Sequence, residues 1–194
     1  MCIELDLENP KSVSILKRRL DFEMRSPDII VHNLGGSLGI SNPNADVTDW
    51  MRVWNFNLGI AIELNRTFLP DMLFRKWGRI LHLSTLSTST YLGYAPYVSA
   101  KCALEGYIKA ISRLVSRDNV VINAIAPGLV ALKGRFYSNL RDNDPALFER
   151  YCQEHLPIGR MVEPDEVAKV ACFLCSEHAA FMPGAVVRVD GGGH

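Results

Sequence analysis

Two kinds of apolar pattern alternate along this chain. Short runs rich in β-branched residues predict buried strands at 2–5, 28–32, 79–83, 119–125 and 186–189. Between these runs, apolar residues recur every three or four positions, which predicts helices at 9–25, 47–76, 95–116 and 164–176. Strands that alternate with helices indicate a parallel sheet with helices on both faces and ligands beyond the carboxyl ends of the strands.

Polar or glycine-containing loops follow three of the predicted strands. Asn33 and Gly35 come after the strand at 28–32, and glycine lets the backbone turn sharply and approach a ligand. A hydroxyl-rich run at 84–90 follows the next strand, and the sequence Ala-Pro-Gly at 126–128 follows the one after. Because parallel strands end at the same edge of a sheet, we expect these loops to meet.

The helical pattern at 47–76 has an internal interruption. Asn55, Asn57 and Gly59 stand among otherwise good helix formers, and we expect a kink there. The segment at 129–157 lacks a clear period and is expected to be an irregular insert with short helices.

Composition and charge narrow the class of protein. The chain has 194 residues, of which 48% are hydrophobic, and this fits one domain spanning 1–194 with a real core. Its 21 basic and 21 acidic residues balance, so no overall field favours nucleic acid or an anionic membrane. The longest apolar runs fall short of the ~20 residues of a membrane helix. We expect neither nucleic acid nor a membrane as a partner.

The cysteines and histidines give little sign of a metal or of disulfides. Five cysteines are an odd number in a chain of this size, which favours reduced thiols and a cytoplasmic location. Cys172 and Cys175 form a lone C-x-x-C in an apolar helical pattern and are expected to be buried structural thiols. The five histidines are scattered, so we predict no catalytic metal.

The sharpest chemical feature is Tyr97 followed by Lys101 near the start of a predicted helix. At a spacing of four, both side chains project from one helix face. A free phenol has a pKa of about 10, and a nearby ammonium favours the phenolate. Such a tyrosine can exchange a proton with a substrate hydroxyl or carbonyl. An isolated Y-x-x-x-K is more often a surface pair, so its surroundings decide the interpretation.

Those surroundings contain further polar groups at suitable places. Ser84 ends a strand thirteen residues before Tyr97, and its hydroxyl is placed to hold a carbonyl oxygen. Asn57 lies where the helix kink frees a backbone carbonyl to bind water.

Several further motifs follow in a fixed order: Asn33-x-Gly35, Asn57-Leu58, Ser84, Tyr97-x-x-x-Lys101, NAIAPG at 123–128, PIGR at 157–160, EPxEVA at 163–168 and VDGG at 189–192. In this combination the chain resembles the short-chain dehydrogenase/reductases over essentially its whole length. The resemblance implies a Rossmann-like, doubly wound parallel sheet in three α/β/α layers. It also implies hydride transfer between NAD or NADP and a small-molecule alcohol or carbonyl.

The resemblance assigns expected roles to single residues. Tyr97 would be the acid/base, and Lys101 would lower its pKa and hold the nicotinamide ribose. Ser84 would orient the substrate oxygen, and Asn57 would support a water and proton relay. The remaining cofactor contacts implied by the family are Asp6 near the adenine, Asn33 and Gly35 on the adenosine side, and Pro127, Gly128 and Val130 at the nicotinamide end.

The family also implies an assembly. Its members pair the long helices that correspond to 47–76 and 95–116, so we expect a homodimer or a homotetramer.

Departures from the family pattern leave one assignment open. Aligning the strand at 80–83 with the family places Thr85, not Ser84, at the family's serine, whereas the spacing to Tyr97 favours Ser84. His32 and Leu34 stand where the family has asparagine and alanine.

The largest departure is at the front of the chain. A dinucleotide site needs a strand, a glycine-rich turn and a helix N-terminus for the pyrophosphate, and this sequence shows no such motif. The family has two strands before the segment resembling 2–5, so this chain is expected to represent strands 3 to 7 of an N-terminally truncated member.

Two alternatives to an active dehydrogenase remain. A catalytically silent interaction subunit would keep the fold but not bind dinucleotide by itself. A hydrolase built on Ser84 and Lys101 is weaker, because Tyr97 would have no role and no G-x-S-x-G motif is present.

Overall fold

A parallel sheet forms the centre of the computed structural model, which describes residues 2–134 and 136–193. Within those residues, its strands are β1 (Ile29–His32), β2 (Gly78–Leu83), β3 (Val120–Pro127) and β4 (Val186–Val189). They are parallel and lie in the order β1-β2-β3-β4. All their carboxyl ends therefore lie at one edge, as the alternating pattern predicts.

Helices cover both faces of this sheet. The described helices are α1 (Ser12–Phe22), α2 (Val47–Trp54), α3 (Ile60–Arg75), α4 (Ser87–Thr90), α5 (Ala95–Val115), α6 (Phe136–Asn143), α7 (Pro145–His155) and α8 (Pro164–Leu174). On one face, Met72 of α3 and Leu104 and Ile108 of α5 pack against the sheet. On the other face, Leu174 of α8 packs against Leu81. This arrangement confirms the Rossmann-like α/β fold.

Alternation along β3 divides the core between the two faces. Ile122 and Ala124 pack into the cluster with α3 and α5, whereas Ile125 packs into the cluster with α8. Each of the three side chains is fully buried. Burying a side chain such as Ile stabilises the fold by about 1.5–3 kcal/mol, which explains why every β3 residue except Asn123 is apolar.

The predicted kink in the 47–76 helix is confirmed as a π-helical turn. α2 ends at Trp54, residues Asn55–Gly59 form the π turn, and α3 begins at Ile60. A π turn widens the helix by one residue and is frequent at functional sites. It contains Asn57.

Three sequence predictions need correction. Residues 2–5 form no strand, because a parallel strand needs a neighbour and β1 pairs with β2 alone among the described residues. The sheet thus contains the strands expected as 4 to 7, without the one expected as 3. The hydroxyl-rich run at 84–90 contains the short helix α4. Cys172 is exposed, so Cys172 and Cys175 are not a buried pair.

Within residues 2–134 and 136–193, no helix combines the length and the apolar character needed to cross a bilayer.

Candidate functional site

The structure brings Tyr97 and Lys101 together on one face of α5. The Lys101 Nζ lies 5.9 Å from the centre of the Tyr97 ring. It donates a hydrogen bond of 2.7 Å to the carbonyl oxygen of Leu83, the last residue of β2. Lys101 is only 3% exposed, so its ammonium is fixed at the carboxyl edge of the sheet.

Burial changes the acidity of both groups. It lowers the pKa of Lys101 to about 8, and the carboxylate of Glu105 opposes part of this fall. Burial raises the pKa of the Tyr97 phenol, and a hydrogen bond from the Thr85 hydroxyl opposes part of this rise. At neutral pH, Lys101 therefore still carries its charge beside the phenol.

The structure gives the side chains of Ser84 and Thr85 different surroundings. The Ser84 backbone N–H continues the sheet ladder by donating to Ile125 at 2.7 Å. Successive side chains of an extended segment point to opposite sides. The Ser84 hydroxyl accordingly points inward and donates to Glu105 Oε1 at 2.5 Å, whereas the Thr85 hydroxyl lies near enough to Tyr97 to lower the pKa of the phenol.

Asn57 uses its amide to hold the glycine loop after β1. Its Nδ2 donates to the carbonyl oxygens of Gly36 and Val53, each at 2.8 Å, and its Oδ1 accepts from the Gly36 backbone N–H at 3.0 Å. A Cβ on Gly35 would lie 2.8 Å from Asn57 Oδ1 and 2.9 Å from Lys101 Nζ. Only glycine allows the loop to pack this closely against Lys101.

Two of the cavities at the carboxyl edge of the sheet are lined by Pro127. One, of about 400 Å³, contains three of the predicted cofactor residues in its wall: Asn33, Pro127 and Val130. The other, of about 300 Å³, lies beside Thr85 and Gly128. Pro127 lines both cavities and separates them.

The second cavity has one hydroxyl wall and one aromatic wall. Thr85, Ser87 and Thr90 form the first. The second consists of Tyr151 and His155 of α7, whose rings lie 4.6 Å apart, together with Tyr137 of α6. The irregular insert predicted at 129–157 therefore supplies a wall of this cavity.

Asp6 does not join either cavity. It is exposed, and its Oδ1 accepts from the Glu8 backbone N–H at 2.9 Å. Its carbonyl oxygen accepts from the Ser12 hydroxyl at 2.5 Å, at the start of α1.

Sequence reasoning missed a buried polar cluster behind Lys101. His32 of β1 and His82 of β2 are register partners whose rings stack 4.4 Å apart. Asn65 of α3 bridges them, with Oδ1 2.8 Å from His32 Nε2 and Nδ2 3.4 Å from His82 Nε2. The Asn65 Nδ2 also donates to the Tyr107 hydroxyl at 3.1 Å. Two histidines at matching positions of adjacent predicted strands were the available signal.

Both histidines are held neutral. Burial lowers the pKa of His32, and the hydrogen bond to Asn65 opposes part of this fall. Burial lowers the pKa of His82 well below its usual value, and the nearby His32 and Lys101 lower it further.

A parallel sheet with a half-buried tyrosine and a buried lysine at its carboxyl edge fits the class of Rossmann-like oxidoreductases. The family model described as enoyl-(acyl carrier protein) reductase matches residues 1–194. The chain belongs to the short-chain dehydrogenase/reductase family, as its motifs indicate.

Curated relatives are about 31% identical to this chain over the aligned residues. The 3-oxoacyl-(acyl-carrier-protein) reductase FabG of Pseudomonas aeruginosa is 31% identical over 193 residues, covering 97% of this chain and 74% of the relative. The 2,3-dihydroxy-2,3-dihydro-p-cumate dehydrogenase of Pseudomonas putida is 31% identical over 190 residues, covering 96% and 71%. This chain thus spans about three quarters of their length.

Solved structures agree with the same fold. A 3-oxoacyl (acyl-carrier-protein) reductase from Agrobacterium tumefaciens with NADP bound gives a TM-score of 0.86 at 28% identity, covering 96% of this chain and 72% of the other. L-sorbose reductase from Gluconobacter frateurii, complexed with NADPH and L-sorbose, gives 0.87 at 28% identity, covering 98% and 75%.

Proposed function

We propose that this chain is an NAD(P)-dependent oxidoreductase in which Tyr97 transfers a proton to or from the oxygen of an alcohol or carbonyl substrate. The observation that carries the proposal is the buried Lys101 beside Tyr97, next to a cavity that contains Thr85. Bound NAD(P) supplies or accepts the hydride.

The chain's own residues then divide the proton chemistry. In alcohol oxidation, the Tyr97 phenolate accepts the hydroxyl proton, and in carbonyl reduction the phenol donates it. The Lys101 ammonium favours the phenolate, and Thr85 is placed to donate to the substrate oxygen. Ser84 has no direct part in this proposal, since its hydroxyl bonds to Glu105.

The cleft of about 400 Å³ fits the nicotinamide end of the cofactor. Its wall contains Asn33, Pro127 and Val130. Because Gly35 has no side chain, the loop after β1 places no side chain at that position over Lys101 Nζ. These residues and Gly128 would hold NAD(P), with Lys101 also toward a ribose hydroxyl. The adenine contact of Asp6 remains a proposal based on the family resemblance. The solved relatives with NADP and NADPH support NAD(P) as the cofactor.

The cavity beside Thr85 sets the scale of the substrate. Its volume of about 300 Å³ and its aromatic wall suit a compact alcohol or carbonyl compound that presents one apolar face to Tyr151.

A pair of chains is the proposed assembly, through α2, α3 and α5. Val47 and Met51 are four residues apart on α2 and are 72% and 61% exposed. We expect Met51→Lys to halve the mass measured by light scattering, whereas Phe22→Lys on α1 leaves it unchanged. A wild-type mass of one chain would contradict the assembly.

The five free cysteines support the proposed cytoplasmic location.

The central test is Tyr97→Phe, followed by NADPH and NADH consumption with a 3-oxoacyl thioester and L-sorbose as probes. The phenol is the proposed acid/base, so we expect the rate to fall about 10²–10⁴-fold. Tyr94→Phe is the matched control, because Tyr94 is exposed on the turn before α5. Undiminished turnover by Tyr97→Phe would refute the acid/base role.

A fluorescence titration with NADPH separates the enzyme from the silent subunit. The glycine loop at 35–39 is followed by no described helix before Val47, which is the observation that favours the second function. Saturable binding supports the enzyme, and no binding at millimolar NADPH supports the silent subunit.

A further inference from the structure

Glu105 lies one helical turn beyond Lys101 on α5 and contacts the loop after β2. Its Oε1 accepts from the Ser84 hydroxyl at 2.5 Å and lies 2.8 Å from the Thr88 hydroxyl. Carboxylates accept strong, short hydrogen bonds from hydroxyl groups, so one acidic side chain ties α5 to both ends of the 84–88 segment.

These contacts enclose Thr85. Ser84 directly precedes it, and the Thr88 backbone N–H donates to the Thr85 carbonyl oxygen at 3.3 Å. The Thr88 hydroxyl also lies 2.9 Å from that oxygen. With Ser84 turned inward toward Glu105, the next side chain of the extended segment must turn outward, toward Tyr97.

Glu105 also supplies charge to the site. The titratable groups that face Lys101 are Tyr97 and Glu105 on α5 and His82 on β2, with His32 on β1 stacked behind His82. The histidines are neutral and the phenol is protonated at rest. Among the described residues, Glu105 is the carboxylate whose charge acts on Lys101.

We propose that Glu105 is a positioning residue of the active site, which orients the Thr85 hydroxyl through Ser84 and Thr88 and places a carboxylate one helical turn from the buried Lys101 ammonium. The catalytic relevance of this inference rests on the proposed function, but its two physical parts do not.

The test measures those parts separately, on the full chain without cofactor. Lysine labelled with ¹³C at Cε reports the Lys101 titration by NMR, and Lys101→Arg identifies its signal. Hydrogen exchange of the peptide covering 84–90 reports the order of the turn. Neither measurement requires turnover, so failure of the proposed oxidoreductase function is distinguishable from failure of this inference.

Glu105→Gln keeps an oxygen that accepts both hydroxyl protons but removes the charge. We expect the Lys101 midpoint to fall by about one pH unit, with hydrogen exchange at 84–90 unchanged. Thr88→Val removes the hydroxyl that contacts both Glu105 and the Thr85 carbonyl oxygen, and it keeps the Glu105 charge. We therefore expect at least about fivefold faster exchange at 84–90 and an unchanged Lys101 midpoint. Glu23→Gln, at an exposed site after α1, is the control for both.

Each part can be overturned independently. A Lys101 midpoint that is the same in Glu105→Gln as in wild type overturns the charge role. Unchanged exchange in Thr88→Val overturns the anchoring role. If Glu105→Gln does not fold, the Ser84→Ala and Thr88→Val double variant still tests the anchoring role. Glu105→Ala then tests the charge role, because it also removes the carboxylate and should lower the Lys101 midpoint.

Discussion

Acidification is expected to destabilise this protein through the stacked His32 and His82. Both are neutral in the folded chain, because burial lowers the pKa of each. On unfolding, each ring returns to water with a pKa of about 6.5 and takes up a proton below that pH. Their contribution is therefore fully present above pH 6.5 and is lost as the pH falls below it.

The size of this effect follows from proton linkage. A group that is neutral when folded and protonated when unfolded costs ~1.4 kcal/mol for each pH unit below its unfolded pKa. Between pH 6.5 and pH 5 this is at most about 2 kcal/mol for each histidine, and at most about 4 kcal/mol for the pair. Small domains have a total stability of about 5–15 kcal/mol, so the loss is large enough to measure.

The assay compares the pH dependence of unfolding in wild type and in the His32→Asn, His82→Asn double variant. Urea unfolding, followed by circular dichroism at pH 7 and pH 5, gives the free energy of unfolding at each pH. We expect the double variant to be less stable at pH 7, because its smaller side chains leave space in the cluster with Asn65. It should nevertheless lose less stability than wild type between the two pH values, by up to about 4 kcal/mol.

His178→Asn is the matched control, because this residue is a solvent-exposed histidine. It should lose as much stability as wild type over the same interval. If wild type and the double variant lose equal stability between pH 7 and pH 5, the histidine pair is not held neutral and the reasoning is wrong.

Three further predictions concern single residues of the site and of α5. Thr85→Ala is expected to reduce turnover of the probes about 10²-fold, because it removes the hydroxyl beside Tyr97. Ser84→Ala should reduce turnover less. Equal losses in the two variants would contradict the assignment of Thr85. Gly35→Ala places a Cβ 2.9 Å from Lys101 Nζ, so thermal unfolding and NADPH titration should both show a loss relative to wild type. Gly106→Ala, with nothing within 4 Å of the added Cβ, should raise the free energy of unfolding by about 0.5–1 kcal/mol, measured by urea unfolding.

Periodicity predicts the elements of this fold well, because each buried strand and amphipathic helix carries its own signal. The strand predicted at 186–189 has the observed bounds, and the interruption around Asn57 is the π turn. Residues 2–5 also look like a strand, but pairing depends on a neighbour, which no local pattern reveals. The turn at 84–90 was missed because Ser and Thr favour caps and short turns as readily as loops.

The site was predictable in its residue types but not in their directions. The helical spacing of Tyr97 and Lys101 fixes their common face without any tertiary information. The direction of the Ser84 and Thr85 side chains depends on where the β2 ladder stops, and Ser84 still belongs to that ladder because its N–H donates to the carbonyl oxygen of Ile125. Nothing in the sequence marks Glu105 as a site residue, because its hydrogen-bond partners Ser84 and Thr88 lie outside α5.

The histidine pair links the stability of the fold to the charge of the site. Lys101 is buried, and its ammonium is stabilised by Glu105 on α5. A protonated His82 would add a second positive charge beside it, and like charges at short distance lower the pKa of both groups. Neutral rings at 32 and 82 therefore allow Lys101 to keep its proton, and the same neutrality makes the folded chain sensitive to acid. In the His32→Asn, His82→Asn variant, asparagine cannot be protonated, so acid stability should improve while Lys101 stays charged.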